Sequence, residues 1–125
     1  MKVFFRKYGG EIDLRAPNLA TCFEYVTLWS TSGEDTAQLS RVCAGALGVC
    51  LDYKAIFPRY RAGKMSAMEY GHLMLDRILS EGITGTAVFR EGVKCLQFMT
   101  ERIPTQKEVD ERANFFSSPD TDIST

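Results

Sequence analysis

The strongest repeating pattern of apolar and polar positions lies between Asp35 and Asp52. Apolar residues recur there at the spacing of one buried helical face, at Leu39, Val42, Cys43, Ala46, Leu47 and Cys50. Asp35 and Gln38 form a capping pair that marks the start of the helix. The other side carries Gly45 and Gly48, and each costs about 1 kcal/mol relative to Ala unless a second helix approaches closely. The pattern therefore predicts a central helix that is covered on both sides.

Four further segments have helical spacing and a recognisable start. These are a first helix over residues 18–30 after Pro17, a third opening with Ser66 and Glu69, a fourth starting at Thr84-Gly85-Thr86, and a short last helix opening with Thr105 and Glu108. In the first helix the residues at helical spacing are Leu19, Cys22, Phe23, Val26 and Trp29. Pro104 ends the fourth helix, and Gly82 is suited to ending the third.

The last two predicted helices each have an apolar side. The fourth helix places Phe98 on a charged face beside Glu91, Lys94 and Glu101. Its opposite side is apolar and is expected to face inward, with Val88, Phe89, Gly92, Val93, Leu96, Met99 and Ile103. In the last helix the apolar stripe consists of Val109, Ala113 and Phe116. An aromatic side chain on a charged face is a candidate contact for a partner, so Phe98 is counted among the candidate binding residues.

The N-terminus has the alternation of a β-hairpin. Residues 2–6 and 11–15 are β-prone runs separated by Tyr8-Gly9-Gly10. Two strands alone are marginally stable, so we expect this hairpin to pack on the helices or to pair with a strand of another subunit. The predicted fold is mainly α (α+β): a single domain over residues 1–116, with a hairpin at 1–16 packed on a bundle of four to five helices. Residues 117–125 have the composition of a disordered tail.

Composition excludes several classes of protein. Of 125 residues, 45% are hydrophobic and 25% are charged, and no apolar run approaches the roughly 20 residues that span a bilayer. The N-terminus lacks the apolar core of a secretory signal, so a cytoplasmic location is expected. The formal net charge of −1 creates no global field that would attract nucleic acid.

No constellation of residues spells out a chemistry. The four cysteines, Cys22, Cys43, Cys50 and Cys95, fall on predicted apolar faces, where a thiol behaves as a small hydrophobe. Their spacing is not that of a zinc or redox site. His72, the single histidine, is expected at the surface, away from these thiols. We therefore expect no enzymatic activity, no metal site and no cofactor.

The connection from Tyr53 to Lys64 mixes basic and aromatic residues densely. Its candidate partner-binding residues are Phe57, Arg59, Tyr60, Arg61 and Lys64. Three interpretations are open: a solvated loop that places Phe57 in the core, a protein interface with aromatic and arginine anchors, and a site for phosphate contact and base stacking.

Several short motifs resemble those of a known group of proteins. They are Ala44–Cys50, Tyr70-Gly71, Leu75–Gly82 and the helix start Pro104–Val109. With them the chain resembles, over residues 35–115, small proteins encoded among the tail genes of tailed phages. The resemblance implies a tail assembly chaperone or related virion-assembly factor, which binds other phage proteins and catalyses nothing.

The first hypothesis is therefore a non-enzymatic phage protein that binds partner proteins during tail assembly in the host cytoplasm, and it includes a possible homo-oligomer. One alternative is a phage or prophage inhibitor that binds a host protein. Another is a nucleic-acid-binding regulator that uses Lys54, Arg59, Arg61 and Lys64.

Overall fold

The fold is a bundle of helices. The computed structural model describes residues 2–5, 10–51, 59–60 and 62–116, and for 2–5, 10–12 and 114–116 it describes the backbone alone. The helices are α1 (Leu19–Thr31), α2 (Thr36–Leu51), α3 (Ala67–Ser80), α4 (Gly85–Glu101) and α5 (Gln106–Phe116). The predicted helical bundle is confirmed, and the starts lie within one residue of those expected. The predicted tail at 117–125 lies outside the described residues.

Local capping determines where the helices begin. Each of five polar side chains accepts a hydrogen bond from the backbone N–H three residues later, at 2.8–3.2 Å: Asn18, Asp35, Ser66, Thr84 and Thr105. These bonds satisfy N–H groups that have no partner inside the helix. Because such a bond needs only a short stretch of sequence, the starts could be identified from sequence alone.

Helix α2 is the centre of the bundle. Every residue from Val42 to Cys50 is buried. Arg41 touches α3 and Cys43 touches α4, and residues two apart point to nearly opposite sides of a helix. The prediction that α2 is covered on both sides is confirmed.

The glycines of the central helix are buried, as expected, but against side chains. A Cβ on Gly45 would lie 2.5 Å from the ring of Tyr25 in α1, and one on Gly48 would collide with Tyr70 and Met74 of α3. The close backbone approaches involve glycines of the neighbouring helices: Gly71 of α3 against the carbonyl of Arg41, and Gly92 of α4 against Cys43.

Two short strands precede the bundle. Strand β1 (Lys2–Phe5) pairs antiparallel with β2 (Gly10–Asp13), with Lys2 opposite Asp13. The residues between them, where the hairpin would turn, lie outside the described residues. The hairpin packed on the helices stays a prediction. The backbone N–H of Arg15 donates to the carbonyl of Cys50 at 2.8 Å, which ties the segment after β2 to the end of α2.

The prediction that α4 has a charged face turned to solvent is wrong in part. Glu91 is only 1% exposed, and its carboxylate lies 2.9 Å from Lys94 Nζ and 3.4 Å from Arg90 Nε. Phe98 is half-buried and packs against the core, with the Arg102 guanidinium 5.9 Å from its ring centroid. Glu91 and Phe98 share a stripe with the fully buried Cys95, at spacings of four and three, so this stripe faces the protein. The flanking cations compensate the buried carboxylate.

Candidate partner-binding surface

Tyr60 lies in the core and does not form an exposed anchor. It is 9% exposed, and its ring stacks on Tyr70 with centroids 5.2 Å apart. Its hydroxyl donates to the Glu24 carboxylate at 2.9 Å. Burial, reinforced by Glu24, raises the pKa of Tyr60, so this hydroxyl keeps its proton. The expectation that Tyr60 is available to a partner is therefore corrected.

Two of the predicted basic residues meet at the surface. Arg59 and Lys64 are both exposed, and the backbone N–H of Lys64 donates to the carbonyl of Arg59 at 3.1 Å. Gly63, with φ of +73°, makes the turn between them. Phe57 and Arg61 lie outside the described residues. The structure thus brings together two cations of the predicted set, without Tyr60 as a base-stacking surface beside them.

Glu24 is a structural hub that sequence reasoning missed. Its carboxylate accepts the Tyr60 hydroxyl and, at 3.2 Å, the backbone N–H of Ala67 at the start of α3. With Asn18 and Thr21 it also lines a polar cavity of about 410 Å³. A glutamate on the outer part of a helix is ordinarily solvated, so no local signal distinguishes it from its neighbours.

The cysteine side chains are enclosed. All four are free thiols with 0% exposure. Burial raises the pKa of Cys43 to about 12. A hydrogen bond to Cys50, together with burial, raises the pKa of Cys95 well above its ordinary value. Because the thiolate is the reactive form, Cys43 and Cys95 are packing groups at neutral pH.

His72 lies at the surface, as predicted. The His72 side chain is half exposed, with Nε2 3.5 Å from the Asp76 carboxylate. Within the described ranges, no cluster of three or more His, Cys, Asp and Glu side chains could hold a metal ion. None of the helices described combines the length and apolar character that a membrane crossing requires.

An exposed apolar surface with aromatic residues lies along α1 and α4. We call it the α1 surface, and it consists of Leu19, Phe23, Val26, Trp29 and Phe89. Leu19 and Phe23 are 46% and 48% exposed. Val26 and Trp29 continue along the helix, and the Trp29 ring lies 5.9 Å from that of Phe89. The prediction that Phe89 faces inward is wrong, since its side chain is 39% exposed beside Trp29. The core therefore covers only part of the apolar stripe of α1.

The helical spacing of the α1 residues could be predicted from the sequence, but their exposure to solvent could not. The helical spacing groups Leu19, Cys22, Phe23, Val26 and Trp29 into one stripe, and a stripe of this kind usually faces the core. Fully buried Cys22 and Tyr25 show that α1 is rotated so that the core contacts only part of the stripe.

Comparison of the chain with protein-family models, curated proteins and solved structures gave no match.

Proposed function

We propose that this chain is a non-enzymatic protein that binds partner proteins, in the manner of a tail assembly chaperone acting in the host cytoplasm. The observation that carries the proposal is the α1 surface. It contains two exposed aromatic side chains, Phe23 at 48% and Phe89 at 39%. The phage motifs named above supply the class of partner.

The energetics favour a protein ligand for this surface. Exposed aromatic side chains on a rigid helix are suited to be interface anchors, because they bury a large area at a low cost in conformational entropy. Phe23 lies one helical turn from Leu19, and both belong to a helix that is anchored in the core by the fully buried Cys22 and Tyr25. A partner would therefore meet a preformed surface.

The test is a binding measurement with purified tail-tube and tape-measure proteins from the same genome. We expect one of them to bind the wild-type chain, and we expect Phe23→Asp to weaken binding at least about tenfold, since it places a charge at the centre of the contact. Gln97→Asp introduces the same residue at an exposed position of α4 and serves as the control.

Two results would contradict the proposal. Binding of neither tail protein to the wild type would remove the assignment of partner class. Equal binding by Phe23→Asp and wild type, with unchanged circular dichroism, would remove the α1 surface. If a host protein bound the same surface instead, the inhibitor hypothesis would replace the chaperone hypothesis.

A nucleic-acid regulator is a second candidate, because Arg59 and Lys64 are exposed on one turn. Phosphate binding by these side chains would weaken steeply as salt rises. Affinity for generic DNA and RNA at low salt, measured with wild type and with Arg59→Ala/Lys64→Ala, separates the candidates. We expect no tight binding by either chain.

A further inference from the structure

Helix α5 exposes Val109 and Ala113 of its apolar stripe. Every residue from Gln106 to Ala113 is exposed, and Val109 is 48% exposed. Isolated helices shorter than about 12–15 residues are marginal in water, and α5 spans 11 residues. Val109 and Ala113 lie on one face, and Phe116 follows at the same spacing in the sequence. A helix of this length with such a face gains stability when another surface covers it.

A matching groove lies between α2 and α3. It has a volume of about 350 Å³ and is lined by Arg41 of α2 and by Met68, Glu69, His72 and Leu73 of α3. Leu73 is 37% exposed, so an apolar side chain is open at this groove. Among the described residues, the guanidinium of Arg41 has no carboxylate partner.

The charges of helix and groove are complementary. In α5 the stripe is bordered on one side by Asp110 and on the other by Arg112, as the helical angle of 100° per residue requires. The groove offers Arg41 from one helix and Glu69 from the other. The acidic side of the stripe, at Asp110, thus suits the Arg41 side of the groove. The basic side, at Arg112, suits the Glu69 side.

The helix does not occupy the groove of its own chain. Every residue from Gln106 to Ala113 is exposed, and Leu73 at the groove is 37% exposed. The apolar stripe of α5 and the groove are therefore both open to a second copy of the chain.

We infer that α5 of one copy docks in the α2–α3 groove of a second copy of this chain. Asp110 then pairs with Arg41 of the other copy, and Val109 covers Met68 and Leu73. Because each copy offers one helix and one groove, two reciprocal contacts close a symmetric dimer. This inference does not depend on the proposed tail partner.

The test is the oligomeric state of the full chain, measured by sedimentation equilibrium over a range of concentrations. We expect a concentration-dependent dimer for wild type and a dissociation constant raised at least about tenfold for Val109→Asp. Lys107→Asp, on the face of α5 opposite Val109, is the matched control and should leave the dimer intact.

A charge exchange identifies the pair. Asp110→Arg and Arg41→Asp should each weaken the dimer about tenfold or more, and the double variant should recover most of the loss. Asp110 is exposed, so its replacement does not disturb the core even if replacement of Arg41 does. A monomer at all concentrations, a dimer unaffected by Val109→Asp, or single losses that simply add in the double variant would each overturn the inference.

Discussion

Gly71 and Gly92 set how closely the bundle packs. A Cβ at Gly71 would collide with the carbonyl oxygen of Arg41, and one at Gly92 would collide with Cys43. Both contacts involve the backbone of α2, which cannot move aside as a flexible side chain can. These two positions hold α3 and α4 against opposite sides of the central helix.

Replacing Gly71 by Ala should therefore destabilise the protein, although alanine favours helix formation. We expect a loss of about 1–3 kcal/mol in the free energy of unfolding, because the added methyl group separates α3 from α2. Gly85→Ala is the control. A Cβ there meets no atom within 4 Å, so stability should stay the same or rise by up to about 1 kcal/mol. Urea unfolding of both variants measures the difference, and equal stability of the two would show that α3 can shift without cost.

The buried thiols predict a loss of stability at alkaline pH. Burial raises the pKa of Cys43 from 9.0 to about 12, and the pKa of Cys22 is raised chiefly by burial as well. A folded state that holds its protons more tightly than the unfolded state is fully stabilised below pH 9 and loses that stabilisation as the pH rises toward 12. The melting temperature should fall over this range, and Cys43→Ala should reduce the slope. A pH-independent melting temperature from 8.5 to 11 would contradict the prediction.

At the scale of elements, the start of α3 is held by side chains from other parts of the chain. Glu24 of α1 accepts from the N–H of Ala67, and the hydroxyl of Tyr25 donates to the Ala67 carbonyl at 3.1 Å. Tyr60 joins the same cluster through Glu24. These bonds orient α3 relative to α1, while Ser66 supplies its local cap.

Glu24→Ala should loosen this junction. The change removes the acceptor of two hydrogen bonds, and we expect the free energy of unfolding to fall by about 1–3 kcal/mol. Glu24→Gln retains a side-chain oxygen and most of the packing, so its loss should be smaller. Glu34→Ala, at an exposed position between α1 and α2, is the control for charge removal. If Glu24→Ala and Glu34→Ala unfolded at the same urea concentration, the junction would contribute nothing measurable.

At the scale of the whole molecule, burial is concentrated around α2 and ends before α5. Every residue from Val42 to Cys50 is buried, whereas residues 104–113 are all exposed. Opening a backbone amide in α2 requires separating helices on both sides, so such amides should exchange only through global unfolding. The amides of α5 need only local fraying.

Hydrogen exchange should show this gradient directly. In a sample dilute enough to be monomeric, we expect the amides of Val42–Cys50 to have the highest protection and those of α5 to exchange orders of magnitude faster. Protection of α5 should rise as the protein concentration increases, if the inferred dimer forms. Strong protection of α5 at high dilution would show that its stripe is covered within a single chain.

The sequence by itself determined the helices, their starts and the identity of the central one. Capping bonds link residues three apart, and apolar spacing repeats every three or four residues, so both are recorded in short stretches of chain. The buried side of α2 could be predicted because two glycines in a helix need close packing to offset their cost. Burial of the cysteines followed from the same periodicity.

Only the tertiary structure decided which apolar residues are left exposed and which polar residues are enclosed. Phe23 and Cys22 are neighbours in one apolar pattern, but the rotation of α1 against its neighbours buries one and exposes half of the other. Tyr60 and Glu91 looked like surface residues, yet one stacks on Tyr70 and the other lies beneath Lys94 and Arg90. Such outcomes depend on contacts between residues far apart in the chain, as between Tyr60 and Glu24, and short-range periodicity contains no information about them.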